Sequence, residues 1–181
     1  MPLHTAPFRL DTSRLLIRPW QAEDRVAFSR FVGDTEMMRY ISPGTLWDDA
    51  RINATLDRQA RQVAEHDCCF AAATLKETGA VIGVGGIQPL GETGEYEIGW
   101  WIWKEYWNRG LASEIAGAAK RHAFESMRLP RVVAIVHPDN TASIRVMQKI
   151  GMRYEGLRNA RQLAARLQDI DVAYYSLDNP G

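Results

Sequence analysis

The protein has 181 residues, 46% of them hydrophobic and 24% charged. That is enough chain for one domain with a sizeable core, and the composition excludes wholesale disorder. The 22 basic side chains balance the 22 acidic ones, whereas nucleic-acid-binding proteins usually show a basic excess or a basic stripe. We therefore predict a single domain over residues 1–181, with no nucleic-acid partner.

The two cysteines, Cys68 and Cys69, are neighbours in the chain. Adjacent residues seldom bridge each other, so no disulfide framework is expected, as in a reducing cytosol. They open an apolar run, which favours buried packing over thiol reactivity. The first ten residues do not combine a charged leader with an apolar stretch, and no apolar run approaches the roughly 18 residues that span a membrane. We therefore expect a cytoplasmic protein without a membrane partner.

The first half of the chain predicts one strand, two helices and then three strands in quick succession. The first strand covers residues 13–20, and the helices cover 22–32 and 46–65, with a Pro43-Gly44 turn between them. The three later strands cover 69–75, 81–88 and 95–103. Their connections are short and contain glycine, which is typical of antiparallel hairpins.

Three glycines, Gly83, Gly85 and Gly86, lie inside the predicted strand 81–88. A phosphate loop would need a Gly-Lys-Ser/Thr sequence and a following helix, which are missing here. Bulges or close backbone approach explain these glycines better. A nucleotide-dependent phosphotransferase is disfavoured for the same reason, and because the metal-binding carboxylates are lacking.

The second half of the chain predicts a helix at 111–127, a short apolar strand at 131–137, a helix at 141–150 and strands at 151–158 and 171–177. Residues 159–168 give no clear pattern. Because a helix connects strand 95–103 to strand 131–137, these two strands should be parallel neighbours. The rest of the sheet should be mostly antiparallel.

The segment Trp107-Asn108-Arg109-Gly110-Leu111-Ala112 precedes and begins the helix at 111. A helix N-terminus presents unpaired N–H groups and a partial positive charge, which suit a phosphate. Gly110 allows close approach of an anion, Ala112 keeps the first turn small, and Arg109 can add charge. A capped surface helix would explain the same pattern.

A second segment, Asn140-x-x-Ser143 followed by Lys149-x-Gly151, continues from the end of strand 131–137. Together with the Trp107–Ala112 run, the first strand Ser13-Arg14-Leu15-x-Ile17-Arg18-Pro19 and the last strand 171–177, it resembles the GNAT superfamily of N-acetyltransferases, particularly its ribosomal-protein and small-molecule branch. Each motif is moderately specific, and the four in this order are highly specific.

The resemblance implies an α+β fold with three αβα layers, a mixed and mostly antiparallel sheet, and a splayed parallel pair of central strands. It also implies acetyl-CoA as the cofactor. The pantetheine arm would pair with backbone groups around Trp100 and Ile102, and the backbone N–H groups of Asn108, Arg109, Gly110, Leu111 and Ala112 would hold the pyrophosphate. The family commonly has glycine at the position of Asn108, although asparagine tolerates unusual backbone angles better than most residues. Asn140 matches an asparagine beside the pantetheine and could also cap the helix.

Acetyl transfer to an amine requires a base, donors for the oxyanion and an acid for the departing thiolate. Glu97 is the leading candidate for the base, directly or through water, since it shares a strand face with Gly99 and Trp101 and the branch often has an acidic residue here. Burial would raise its pKa, which suits a base. A surface glutamate on an edge strand is the competing interpretation, and Glu95 is the second candidate.

Many family members use a tyrosine as the acid two positions before the helix lysine, where this chain has Met147. In this branch the serine of the Asn-x-x-Ser pattern can serve instead, so Ser143 is our candidate, against a simple hydroxyl at the helix start. The histidines His4, His66, His122 and His137 are too scattered for a metal set, and no metal is expected. His137 is a weaker candidate for acid–base work.

The acceptor is expected to be a primary amine, on a small molecule or at a protein N-terminus. The helix 46–65 should cover its site, with Trp47 as a contact. A non-catalytic acyl-CoA-binding or sensory module on the same fold is the main alternative, because of Met147 and the altered pyrophosphate loop. The oligomeric state stays open, and a homodimer is compatible with the sequence.

Overall fold

The computed structural model describes residues 8–181. His4 and most of the ten-residue N-terminal segment lie outside the described residues. Eight strands form one sheet in the order β1-β2-β3-β4-β5-β6-β8-β7. The strands are β1 Leu10–Asp11, β2 Leu15–Arg18, β3 Phe70–Leu75, β4 Val81–Pro89, β5 Tyr96–Ile102, β6 Arg131–Val136, β7 Arg153–Asn159 and β8 Asp171–Asp178.

The helices connect these strands on both faces of the sheet. They are α1 Arg25–Val32, α2 Thr35–Met38, α3 Asp49–His66, α4 Leu111–Arg121, α5 Thr141–Lys149 and α6 Ala160–Leu163. Short 3-10 segments at Ala22–Asp24 and Lys104–Tyr106 precede α1 and the α4 entry, and a π-helical turn at His122–Ser126 continues α4.

Separate apolar clusters line the two faces of the sheet. On one face, Ile115 of α4 and Met147 of α5 pack against the alternate β5 residues Ile98, Trp100 and Ile102. On the other face, α1 and α3 pack over Phe70, Val84 and Trp103, and α6 packs with Val133 and Tyr174. The predicted α+β fold with three αβα layers is therefore confirmed.

The strands β5 and β6 form the predicted parallel pair and then diverge. Within residues 8–181 they pair only at Glu97 and Val133, whereas β5 pairs with β4 over its whole length, from Tyr96 to Ile102. All other neighbouring strands are antiparallel. The splay expected between the two central strands is thus present, and it opens the middle of the sheet.

Sequence patterns missed two short elements, β1 and α2, because two and four residues show no periodicity. The predicted helix at 111–127 has the expected extent, but its last part is the π-helical turn. The unassigned stretch at 159–168 contains the short α6, which begins at the N-cap Asn159.

Gly85 shows why the glycines of β4 are needed for packing. A Cβ at this position would lie 2.2 Å from Cγ2 of Ile115, so only glycine lets α4 approach the sheet this closely. Ile115 is fully buried there, a contribution of about 2–3 kcal/mol from the hydrophobic effect. Close backbone approach, as predicted, is the reason for this glycine, and α4 is positioned by it.

Candidate active site

Two cavities meet between the diverging ends of β5 and β6. The first, the Glu97 cavity, has a volume of about 450 Å³ and is lined by Glu97, Gln88 and one face of α3. The second, the loop cavity, has a volume of about 410 Å³ and is lined by residues 107–113. Both are lined by Tyr40, Ile41, Trp100, Trp101, Asn140 and Ser143. The two cavities therefore adjoin at these shared residues, and we refer to them together as the cleft.

The loop cavity ends at the N-terminus of α4. Asn108 and Gly110 have φ angles of 60° and 75°, a left-handed conformation that glycine and asparagine adopt most readily. Gly110 is the N-cap, and its carbonyl accepts the first helical hydrogen bond, from the Glu114 amide. The amides of the first turn before Glu114 have no intrahelical acceptor. The segment from Asn108 to Ala112 thus has the geometry of an anion site, and we call it the anion loop. Asn108 adopts the left-handed turn at a position where the family commonly has glycine.

The side chain of Arg109 turns back along the chain. Its Nη2 donates to the Glu105 carbonyl at 3.0 Å, and its guanidinium lies 5.2 Å from the centre of the Tyr106 ring. The backbone carbonyl of Arg109 accepts a hydrogen bond at 3.0 Å from Nη1 of Arg14. The backbone of the loop is therefore tied to the start of β2.

Arg14 is in turn held by Glu114 of α4. The Arg14 Nε donates to Glu114 Oε2 at 2.8 Å, and Thr12 and the Arg14 amide donate to Oε1. Burial alone would raise the pKa of Glu114, but these hydrogen bonds outweigh it and lower the pKa to about 2. This network explains the arginine of the first-strand motif as a brace for the anion loop, a role that the sequence pattern did not predict.

The backbone N–H and C=O groups of alternate β5 residues point toward the cleft. The Trp103 amide donates to the Ile82 carbonyl of β4, so the backbone groups of Trp100 and Ile102 point to the opposite side, where β6 has diverged. The Ile102 carbonyl accepts a hydrogen bond at 2.7 Å from Nε1 of Trp107. Trp100 and the Ile102 amide therefore present the backbone groups that an extended ligand could use.

Glu97 lies on the central strand β5 and is 7% exposed, so the interpretation as a surface glutamate on an edge strand is wrong. Its Oε2 accepts a hydrogen bond at 3.1 Å from Nε2 of Gln88. Burial raises its pKa, and the charges of Arg166 and Arg58 and the Gln88 hydrogen bond oppose this only in part. The structure thus places a buried carboxylate with a raised pKa on the cavity wall.

Glu95, the second candidate for a base, is engaged elsewhere. Its carboxylate accepts a hydrogen bond from the Tyr174 hydroxyl and lies 3.6 Å from Nε of Arg131. It does not line either cavity. The geometry therefore favours Glu97.

Asn140 and Ser143 lie at the junction of the two cavities, where α5 begins. Asn140 is the N-cap, and its Oδ1 accepts a hydrogen bond at 3.1 Å from the Ser143 amide, as predicted for a capping role. Its amide nitrogen and the Ser143 hydroxyl make no hydrogen bond within the part of the chain that the structure describes. Met147, one turn further, is buried and lines the Glu97 cavity.

Three further side chains line the cleft. Trp47, the predicted contact, and His137 both line the Glu97 cavity. The His137 Nδ1 accepts a hydrogen bond from the Asp139 amide at 3.2 Å, and its ring packs 5.3 Å from that of Tyr40. Tyr40 lines both cavities and is a second hydroxyl near the junction, which sequence reasoning missed because it lies in an irregular turn after α2.

Cys68 and Cys69 are both fully buried. Burial raises the pKa of each thiol, and neither lines the cleft. The prediction of structural packing is confirmed. Between residues 8 and 181, no three His, Cys, Asp or Glu side chains are grouped to hold a metal ion. Within the same residues, we find no helix with the length and hydrophobicity of a membrane span.

Comparisons with known proteins agree on the class of this fold and cleft. The family model of the acetyltransferase (GNAT) domain matches residues 14–153. The chain is 36% identical over 149 residues to the Bacillus subtilis protein named uncharacterized N-acetyltransferase YnaD, which covers 81% of this chain and 84% of that one. A solved acetyltransferase from Agrobacterium tumefaciens is 28% identical with a TM-score of 0.78, over 98% of both chains. RimJ from Mycobacterium smegmatis, solved in complex with CoA-disulfide, shares the fold at 22% identity and a TM-score of 0.74, over 96% of this chain and 86% of that one.

The chain therefore belongs to the GNAT family of acetyltransferases, and it is an enzyme of the acyl-transferring class. Proteins of this family use acetyl-CoA.

Proposed function

We propose that the protein transfers acetyl from acetyl-CoA to a primary amine by direct attack. The observation that carries the proposal is the pair of adjoining cavities, one lined by the N-terminus of α4 and the other by the buried Glu97 carboxylate. The acceptor is a small molecule or a protein N-terminus. The motif order and the fold shared with RimJ support a place near the ribosomal-protein branch. Cys68 and Cys69 are free thiols, which fits a reaction in the reducing cytoplasm.

The loop cavity fits the cofactor. The pyrophosphate would be held by backbone N–H groups at the start of α4, those of Asn108, Arg109, Gly110, Leu111 and Ala112. The backbone groups of Trp100, the backbone amide of Ile102 and the side-chain amide nitrogen of Asn140 would hold the pantetheine arm. Acetyl-CoA would supply an acetyl group activated as a thioester.

Glu97 would take the proton of the incoming ammonium, directly or through a water. Its raised pKa brings the carboxylate nearer to the proton affinity of a useful base at neutral pH. Gln88 fixes the carboxylate from the neighbouring strand, because it donates to Oε2. Apolar and aromatic side chains around the junction would keep water from the thioester.

Ser143 would return a proton to the departing sulfur. Its hydroxyl lies at the junction of the cavities and is not held by another described residue, so it is free to reorient. Tyr40 is the second hydroxyl of the junction and is the natural competitor for this role. His137 is a weaker candidate, because its Nδ1 already accepts a backbone hydrogen bond.

Ser143→Ala tests this assignment. We expect kcat to fall about 10- to 100-fold, because a general acid contributes to the rate and a thiolate is already a moderate leaving group, whereas KM for acetyl-CoA should change little. Thr141→Ala, on the exposed first turn of the same helix, is the matched control and should keep wild-type kcat. An unchanged kcat in Ser143→Ala with a large loss in Tyr40→Phe would move the role to Tyr40.

A further inference from the structure

The charges lining the Glu97 cavity are strongly unbalanced. Four arginines, Arg51, Arg58, Arg61 and Arg166, share the wall with one carboxylate, that of Glu97. The whole chain has equal numbers of acidic and basic side chains. The excess of positive charge is therefore a local property of this cavity and does not reflect the overall composition.

None of these four guanidinium groups lies within 4 Å of a carboxylate of residues 8–181. Other arginines of the chain do have such partners, for example Arg14 with Glu114 and Arg18 with Asp24. An arginine at a cavity wall without a counterion loses hydration and gains no ion pair in return. The cluster is thus suited to binding an anion.

Arg58 is the innermost of the four and is fixed beside the base. Its Nη1 donates to Gln88 Oε1 at 3.1 Å, and the same Gln88 donates to Glu97. This leaves the other N–H groups of the guanidinium without an acceptor among the described residues. Burial, with the charges of Arg166 and Arg61, lowers the pKa of Arg58 to about 10, so the group is still charged at neutral pH.

The other arginines surround this position from two sides. Arg51, Arg58 and Arg61 all line the cavity from α3, where positions seven and ten residues after Arg51 are offset from it by only about 20° and 80° around the helix axis. Arg166 comes from the loop after α6. Arg51 is partly engaged, with its guanidinium 4.4 Å above the Trp47 ring, whereas Arg61 and Arg166 are exposed at the rim.

We propose that the acceptor is a small zwitterion: a primary amine that also carries an oxyanion, a carboxylate or a phosphonate, held by Arg58 with Arg61 and Arg166. This rests on the proposed function, in which the amine approaches Glu97. A guanidinium fork binds both kinds of oxyanion in a bidentate manner. The ammonium is drawn to the one carboxylate of the cavity while the oxyanion binds the arginines, so charge orients the substrate in the cleft.

The same geometry couples binding to catalysis. The charges of Arg166 and Arg58 lower the pKa of Glu97 against the effect of burial. A bound oxyanion neutralises these charges, so Glu97 becomes the stronger base when the correct substrate is present. Polyamines and aminoglycosides, which carry several positive charges, are repelled by the same arginines.

The test uses matched pairs of amines that differ only in the anionic group. L-leucine, L-methionine and L-phenylalanine are compared with their carboxamides and with the corresponding aminophosphonates, since the cavity also has apolar walls. Binding is measured by calorimetry, and turnover is measured as CoA release from acetyl-CoA. We expect kcat/KM for the carboxylate or the phosphonate to exceed that of the amide by at least about 100-fold, because the amide leaves the arginines unpaired.

Arg58→Gln should abolish most of this preference, chiefly through KM, and should remove the calorimetric signal of the acid. Arg166→Gln, at the exposed rim, should reduce the preference in the same direction and guards against a folding defect in the first variant. Arg161→Gln, exposed on α6 and outside the cavity lining, is the matched control and should behave as the wild type.

The outcomes separate the two proposals. Equal or faster turnover of the amides, or of a polyamine such as spermidine, would overturn the zwitterion and leave acetyl transfer intact. Peptides acetylated faster than every free amino acid would overturn the small-molecule part. Binding of the acids that is lost in Arg58→Gln, without CoA release from any amine, would support the anion site and contradict the proposed function.

Discussion

Glu97→Gln is expected to lower kcat about 100- to 10,000-fold, the range that a positioned general base contributes, while acetyl-CoA binding is unchanged. The substitution keeps the shape of the side chain, and its carbonyl oxygen can still accept the hydrogen bond from Gln88. It removes the group that takes the proton of the amine. The measurement is steady-state kinetics with calorimetric titration of acetyl-CoA in parallel.

The pH dependence of kcat/KM tests the same assignment of the base. Burial raises the pKa of Glu97, and a base works only when it is deprotonated. The wild-type kcat/KM should therefore rise with pH through this raised pKa, and the limb that belongs to Glu97 should be lost in Glu97→Gln. Any limb that remains in the variant belongs to the amine itself.

The stability of the wild type should fall as the pH rises, whereas its kcat/KM should rise. The pKa of the Glu97 carboxyl group is higher in the folded than in the unfolded protein. Its contribution to the free energy of unfolding is therefore fully present below the ordinary glutamate pKa of about 4.3, and it is lost as the pH rises through the pKa of the folded state. The Glu97→Gln variant has no carboxyl group at this position, so it does not lose this stability as the pH rises. It should unfold at a higher temperature than the wild type at neutral pH, and the difference should disappear in acid.

Glu95→Gln is the control on the same stretch of chain. Since Glu95 contacts Tyr174 and Arg131 and lines neither cavity, its loss should affect stability and leave the pH profile of kcat/KM in place. Wild-type turnover in Glu97→Gln, with loss of turnover in Glu95→Gln, would show that the base was assigned to the wrong residue.

Ala112→Asp is expected to weaken acetyl-CoA binding by about two orders of magnitude. The new carboxylate would lie in the first turn of α4, at the wall of the loop cavity, where it would compete for the free amides and repel the pyrophosphate. Two unit charges a few ångströms apart near a protein surface repel by about 3–4 kcal/mol, enough for such a loss. The fold should survive, because an acidic residue is favourable in the first turn of a helix.

Ala60→Asp makes the same charge change on the exposed middle of α3, outside both cavities. Calorimetric titration with acetyl-CoA should give a wild-type affinity for this control. A similar loss in both variants would mean that net charge matters and position does not, and an unchanged affinity in Ala112→Asp would remove the pyrophosphate from the N-terminus of α4.

The anion loop could be predicted from the sequence because its geometry is local. Gly110 and Asn108 lie within three residues of each other, and the left-handed turn depends on their own backbone preferences. The helix that follows was visible from its periodicity. The sequence pattern could not predict the ion pair between Arg14 and Glu114, because the two residues are 100 positions apart and neither has a local signal of pairing.

The charge of the Glu97 cavity shows the same limit. Arg51, Arg58 and Arg61 recur on one helical face, but charged residues at helical spacing usually form a solvated surface. Only the fold of α3 over the sheet, together with Arg166 from a distant loop, brings them to the carboxylate. Strand alternation predicted that Glu97 shares a face with Gly99 and Trp101, whereas its burial depended on β5 being central.

Initial-rate kinetics with both substrates varied tests the central claim of direct attack across one cleft. If the amine and acetyl-CoA must occupy the two cavities together, double-reciprocal plots at several fixed amine concentrations should intersect. No acetylated enzyme should accumulate, because the two cysteines are buried away from the cleft. Parallel lines, with an acetylated protein detected by mass spectrometry in the absence of amine, would contradict the account.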